Sequence, residues 1–177
     1  MTTFIDGKAV TKPDQPIETI DVVITAGTFS SGTAGSIANS QVKTLMPALA
    51  KRVPMMFSLN GIPTQLATSR TPNIQTPTDL RERHARLYIT PRSATWNSRT
   101  GSALNLDVQL DHPMTRSTLW RGTIIGKTMG FGKFDEEVAD RFASKILTQL
   151  NEDGIIKLNK PTIDMPAPAQ PAVQAKH

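Results

Sequence analysis

The chain holds three histidines, His84, His112 and His177, and these are the side chains whose ordinary pKa suits acid and base work near neutral pH. None has a partner at a diagnostic spacing. There is no HExxH for zinc, no GxSxG elbow for a serine nucleophile and no acidic calcium loop. His84 flanks a strand and His112 falls in a hairpin loop, so both read as edge or solvated histidines. Asp107 and Asp111 lie four residues apart on one strand face, about 13 Å by strand rise, too far to share a proton. Cysteine is absent, which removes disulfide scaffolds, thiol catalysis and sulfur-ligated metals. The sequence therefore implies no catalytic residue, no metal and no cofactor.

Two patterns remain that suit anions. Gly27, Ser30, Ser31, Gly32, Gly35 and Ser36 form a loop ahead of a helix, where free backbone donors bind negative groups. A Walker loop needs Lys and Ser or Thr after its second glycine; here Thr33 and Ala34 follow Gly32. The loop is thus either a plain helix start or a phosphate pocket. The second pattern is charge. The whole chain is +5, yet residues 41–133 hold 13 Lys or Arg against four acids, and both flanking segments are net negative. Arg81, Arg83, Arg86, Arg92, Arg116 and Arg121, with Arg99, crowd into the sheet-forming part, predicting an arginine-rich sheet face that attracts an anionic envelope component or an acidic protein surface. Nucleic acid is the alternative polyanion, with Tyr88, Trp96 and Trp120 as the large aromatics available for stacking.

The elements that position these residues follow from periodicity. Residues 1–18 carry little apolar surface and read as a flexible leader; 159–177 are Pro/Ala-rich and read as a tail without order; 19–158 make one domain of ordinary size. Residues 20–25 (IDVVIT) form a buried strand. Val42, Leu45, Met46, Leu49 and Val53 mark a helix from about Asn39 to Arg52, interrupted or begun at Pro47. Val53 to Leu59 (VPMMFSL) is expected to return as a strand, followed by a long loop over 62–77. Strands are expected at 86–90, extending past Pro91 only as an edge or bulge, at 104–110 with strict alternation, and at 117–125 pairing antiparallel with it. A helix from Asp135 to Glu152 has acids in its first turn and Gly154 at its C-cap. The expected class is α+β, a two-layer α/β sandwich with a mixed, mostly antiparallel sheet of about five strands covered by two helices.

The hairpin and last helix resemble the soluble domains of proteobacterial envelope lipoproteins. Leu104, Leu106, Asp107, Val108, Leu110 and Asp111, then Leu119, Trp120, Arg121 and Gly122, then Leu150, Asp153 and Gly154 carry the likeness, over about a third of the chain. The resemblance implies a non-enzymatic binding or scaffold domain facing the periplasm or anchored to the outer membrane. It also implies a lipid-bearing cysteine upstream, so the chain is expected to be a mature fragment without its signal, and cytoplasmic otherwise. No matched position is a catalytic residue.

Overall fold

The computed structural model describes residues 2–25, 33–68, 82–97, 99–128 and 134–158. In chain order the elements are β1 (Thr2–Ala9), β2 (Thr19–Ile24), α1 (Thr33–Leu59), β3 (Thr64–Ala67), β4 (His84–Asn97), β5 (Gly101–Asp111), β6 (Thr118–Thr128) and α2 (Glu136–Glu152). The strands form one mixed sheet in the order β1-β6-β5-β4-β2-β3. β2 runs parallel to β3 and β4, and the other three pairings are antiparallel. Both helices lie on one face, α1 over β2, β3 and β4 and α2 over β1 and β6, so the molecule is the expected two-layer α+β sandwich with six strands rather than about five.

Alternation decides which face is covered. Leu104, Leu106, Val108 and Leu110 on β5, Leu87 and Ile89 on β4, and Trp120 and Ile124 on β6 point to the helices and are buried. From the other side Leu45, Leu49, Val53, Met56 and Phe57 of α1 and Phe142, Ile146, Leu147 and Leu150 of α2 complete the core. Each such side chain contributes roughly 1.5–3 kcal/mol relative to exposure.

Three expectations change, and a fourth, for the strand at Pro91, holds. Residues 2–9, read as leader, form an edge strand in register with β6, from Thr2 opposite Lys127 to Ala9 opposite Trp120. An edge strand with one solvated face needs few apolar residues, which is why composition hid it. Val53–Leu59 is helix, not strand: α1 continues through Pro47 and Pro54 because its buried positions keep their three- and four-residue steps from Val42 to Phe57. Thr64–Ala67, expected as loop, is the short edge strand β3. Finally, β4 does extend past Pro91 by a bulge between Pro91 and Ser93, and there it has become an edge, since β2 ends opposite Ile89.

Both helices end the same way. Gly61 (φ 87°) and Gly154 (φ 70°) take the left-handed conformation. Their N–H groups donate to Ser58 and Asn151, while Ile62 and Ile155 donate to Phe57 and Leu150, the paired bonds of a Schellman motif. Asp135 caps the start of α2 by accepting from the Val138 N–H. Arg52 of α1, nearly buried, donates through two nitrogens to Asp140 of α2, and Lys51 reaches Glu136 at 2.9 Å. The Lys51 hydrogen bond, with the charges of Lys51 and Arg52, holds the Glu136 carboxyl below its usual range.

Candidate functional site

The face turned away from the helices has no secondary-structure layer over it among the described residues. The registers of β1, β6 and β5 arrange its side chains in rows across three strands. Lys8, Arg121 and Gln109 form the first row, Asp6, Thr123 and Asp107 the second, Phe4, Ile125 and Asn105 the third, and Thr2, Lys127 and Ala103 the fourth. Rows are separated by about 7 Å. Lys8 and Arg121 are direct cross-strand partners, both exposed, with no acidic group of the described residues at ion-pair distance. Like charges placed opposite each other disfavour the pairing they sit on. In the second row Thr123 donates to Asp107 at 3.2 Å. Phe4 is 53% exposed, and the Lys127 ammonium lies 5.9 Å from its ring centroid.

The arginines singled out from the sequence divide. Arg81 lies outside the described residues. Arg83 is ion-paired with Glu18. Arg86 is buried, with Nη2 3.5 Å from Asp21. Arg92 meets Asp107 at 3.5 Å. Arg99 lies in the tight connection between β4 and β5. Arg116 is exposed at φ 55° in the β5–β6 turn, a left-handed conformation uncommon for a residue with a Cβ. Arg121 is exposed on β6. The expected single arginine face is therefore not what the strands assemble. Arg83, Arg86 and Arg92 each face an acid, and the cations of the open face without a described acidic partner are Arg121 and a lysine the sequence reading places in the leader, Lys8, at one end and Lys127, over the Phe4 ring, at the other. Arg116 stands just beyond Lys8 and Arg121, at their end of β6.

At the far side of the same face Asp21, 3% exposed, accepts from Gln65 Nε2 at 2.7 Å and lies 3.2 Å from His84 Nε2. His84 Nδ1 in turn meets the Thr19 hydroxyl at 2.8 Å. Burial acts to raise the Asp21 pKa; the hydrogen bonds with His84 and Gln65 and the nearby Arg86 guanidinium outweigh it and hold the carboxyl below its usual range. His84 is thus a buried histidine with a carboxylate partner, not the solvated edge residue the sequence suggested. The chain Thr19, His84, Asp21 has the residue types of a nucleophile relay. However, β2 is flanked by ladders to β3 and β4, so its amides are committed and provide no donor pair for an oxyanion. The cluster fastens the strands β2, β3 and β4 together.

The remaining candidates carry less. His112 caps its own turn, with Nδ1 accepting from the N–H groups of Met114 and Thr115 at 3.3 Å each. Asp111 accepts both contacts of Gln109 Nε2 at 2.9 Å. His177 and residues 27–32 of the glycine and serine loop lie outside the described residues, and Gly35 and Ser36 fall in the first turns of α1. Trp120 is fully buried and offers no stacking surface, while Tyr88 and Trp96 are half-buried. Among the described residues no group of three His, Asp or Glu side chains is placed to hold a metal ion, and no helix is long and apolar enough to cross a membrane.

No family model matches this sequence, and no curated protein matches it. Among solved structures, the chain is similar to the PelC dodecamer from Paraburkholderia phytofirmans, at 14% identity and a TM-score of 0.49, over 83% of this chain and 96% of that one. It is also similar to a Xanthomonas campestris protein with family model DUF330, at 9% identity and a TM-score of 0.37, over 83% of this chain and 92% of that one. Likeness at this level assigns no function.

Proposed function

We propose that the chain is a non-enzymatic binding domain of the bacterial cell envelope that engages an anionic partner through the β1–β6 side of its open sheet face. The single observation that carries the reading is the cross-strand pair of Lys8 and Arg121, two exposed cations set opposite each other without a described acidic partner. Such a placement is unfavourable in the free protein and favourable once an anion bridges it. Arg116 supports it as a third cation at the same end, held in a left-handed conformation that costs of order 1 kcal/mol. The envelope placement draws on the lipoprotein-like residues of the β5–β6 hairpin and α2, which form the paired strands and the capped helix end that the likeness implies.

The test is retention of the full chain on an immobilised polyanion. The double reversal Lys8→Glu with Arg121→Glu should elute at much lower salt than wild type. A control with the same change in net charge, Lys145→Glu with Lys157→Glu, uses two exposed lysines away from this face, on α2 and after it, and should stay near wild type. Equal loss in both variants would reduce the effect to net charge and reject the site.

A further inference from the structure

Among the described residues β1 ends the sheet, and no strand meets the N–H and C=O groups on its outer side. Val10 continues the β1–β6 register and donates to the Leu119 carbonyl, so alternation turns the backbone of Lys8, Asp6 and Phe4 toward β6 and that of Thr3, Ile5, Gly7 and Ala9 outward. The edge runs from Thr2 to Ala9 without proline or bulge. We propose that it pairs antiparallel with the same edge of a second copy, about a two-fold axis at Gly7, joining the two six-stranded sheets into one.

The side chains select that register. Outward residues must meet outward residues, so the axis falls on a residue and not between two. Centred on Asp6 or on Lys8, the pairing sets a charged side chain against its own copy, which is destabilising. Centred on Ile5, it sets Asp6 against the partner's Phe4, and centres nearer either end of the strand leave fewer residues paired. Centred on Gly7, Asp6 stands opposite the partner's Lys8, Lys8 opposite the partner's Asp6, and Phe4 opposite the partner's Val10. Phe4 and Val10 are each 53% exposed in the single chain, and Asp6 and Lys8 are exposed with no ion pair among the described residues. Within one chain each of these charges has a like charge in its own row, Arg121 beside Lys8 and Asp107 beyond Thr123 from Asp6; the second copy brings the opposite charge to both. A charge on an edge strand ordinarily discourages pairing; here the two charges favour one register over the rest. The Lys8 and Arg121 side chains stay on the open face, so the pairing neither rests on the anion reading above nor covers that surface.

The experiment is sedimentation equilibrium of the full chain, with no polyanion present, for wild type, Asp6→Lys, Lys8→Asp and the double swap of Asp6→Lys with Lys8→Asp. Both side chains are exposed, so each variant should keep the wild-type far-UV circular dichroism. Wild type should dimerise, and each single variant, which opposes like charges twice across the axis, should do so about tenfold more weakly. The double swap restores opposite charges and should return to near the wild-type constant. In the dimer the amides of Ile5, Gly7 and Ala9 should exchange more slowly than in the monomer. A wild type that stays monomeric at every concentration, single variants that dimerise as well as wild type, or a double swap no stronger than the single variants would overturn the proposal. A dimer in which those three amides exchange as in the monomer would place the second copy elsewhere and overturn it too. Retention on a polyanion is read separately, so either proposal can fail while the other stands.

Discussion

The indole of Trp120 lies across Gly122 of its own strand and Gly7 of the neighbouring β1, and its Nε1 donates to Asp153 at the end of α2. One buried side chain thus joins the edge strand that carries Lys8, the strand that carries Arg121, and the helix beneath them. A Cβ on Gly7 would stand 2.0 Å from the ring and one on Gly122 2.4 Å from it. Gly7→Ala and Gly122→Ala should therefore each destabilise the fold by roughly 1–3 kcal/mol or more through overpacking. Urea unfolding checks this, and a midpoint unchanged in both variants would mean that the ring is not seated there.

The pair of Arg52 and Asp140 predicts a contrast between single and double replacement. Arg52→Met strands a partly buried carboxylate and should cost about 3 kcal/mol, whereas Arg52→Met with Asp140→Leu should recover most of that loss. Chemical denaturation of the four species of the cycle supplies the coupling.

Asp21 predicts how stability responds to acid. Its folded pKa lies below the unfolded value, so its contribution is fully present above the unfolded pKa, near 3.8, and is lost as pH falls through the folded value. Asp21→Asn should be less stable than wild type at pH 7, and the gap should narrow below about pH 4. A gap that stays constant between pH 7 and pH 2.5 would show that the carboxylate is not held by His84, Gln65 and Arg86.

Gly61 isolates a backbone effect, because nothing lies within 4 Å of the position its Cβ would take. Gly61→Ala should cost about 1 kcal/mol from the left-handed conformation alone. A thermal midpoint equal to wild type would argue against the Schellman end of α1.

How far the sequence announces this fold differs by element. α2 is plain in it, since Asp135, the acidic first turn, the apolar steps from Val138 to Leu150 and Gly154 all agree. β5 is plain because alternate residues are apolar and the other face is wet. α1 is harder to read, since Pro47 suggests a kink or a start and Val53–Leu59 suits a strand, although a helix pressed on a sheet tolerates the lost donors when its apolar stripe continues. β1 leaves almost no signal, because the inward position under the Trp120 ring must be Gly7 and its outward positions are polar apart from Phe4.

The candidate site was half visible for the same reason. Arg116 and Arg121 stand out as basic residues around β6, but their neighbour Lys8 belongs to the strand that composition conceals. The acids that neutralise Arg83, Arg86 and Arg92 come from residues 18, 21 and 107, and only the tertiary pairing brings them near. Likewise the bond between His84 and Asp21 spans 63 residues, a separation no local pattern records.

Amide chemical-shift mapping of the full chain titrated with polygalacturonate tests the central claim most directly. The account predicts that the largest changes fall on β1 and β6 around Lys8 and Arg121 and spare the outer face of α2. Shifts concentrated on α1 or α2, with β1 and β6 unmoved, would contradict it.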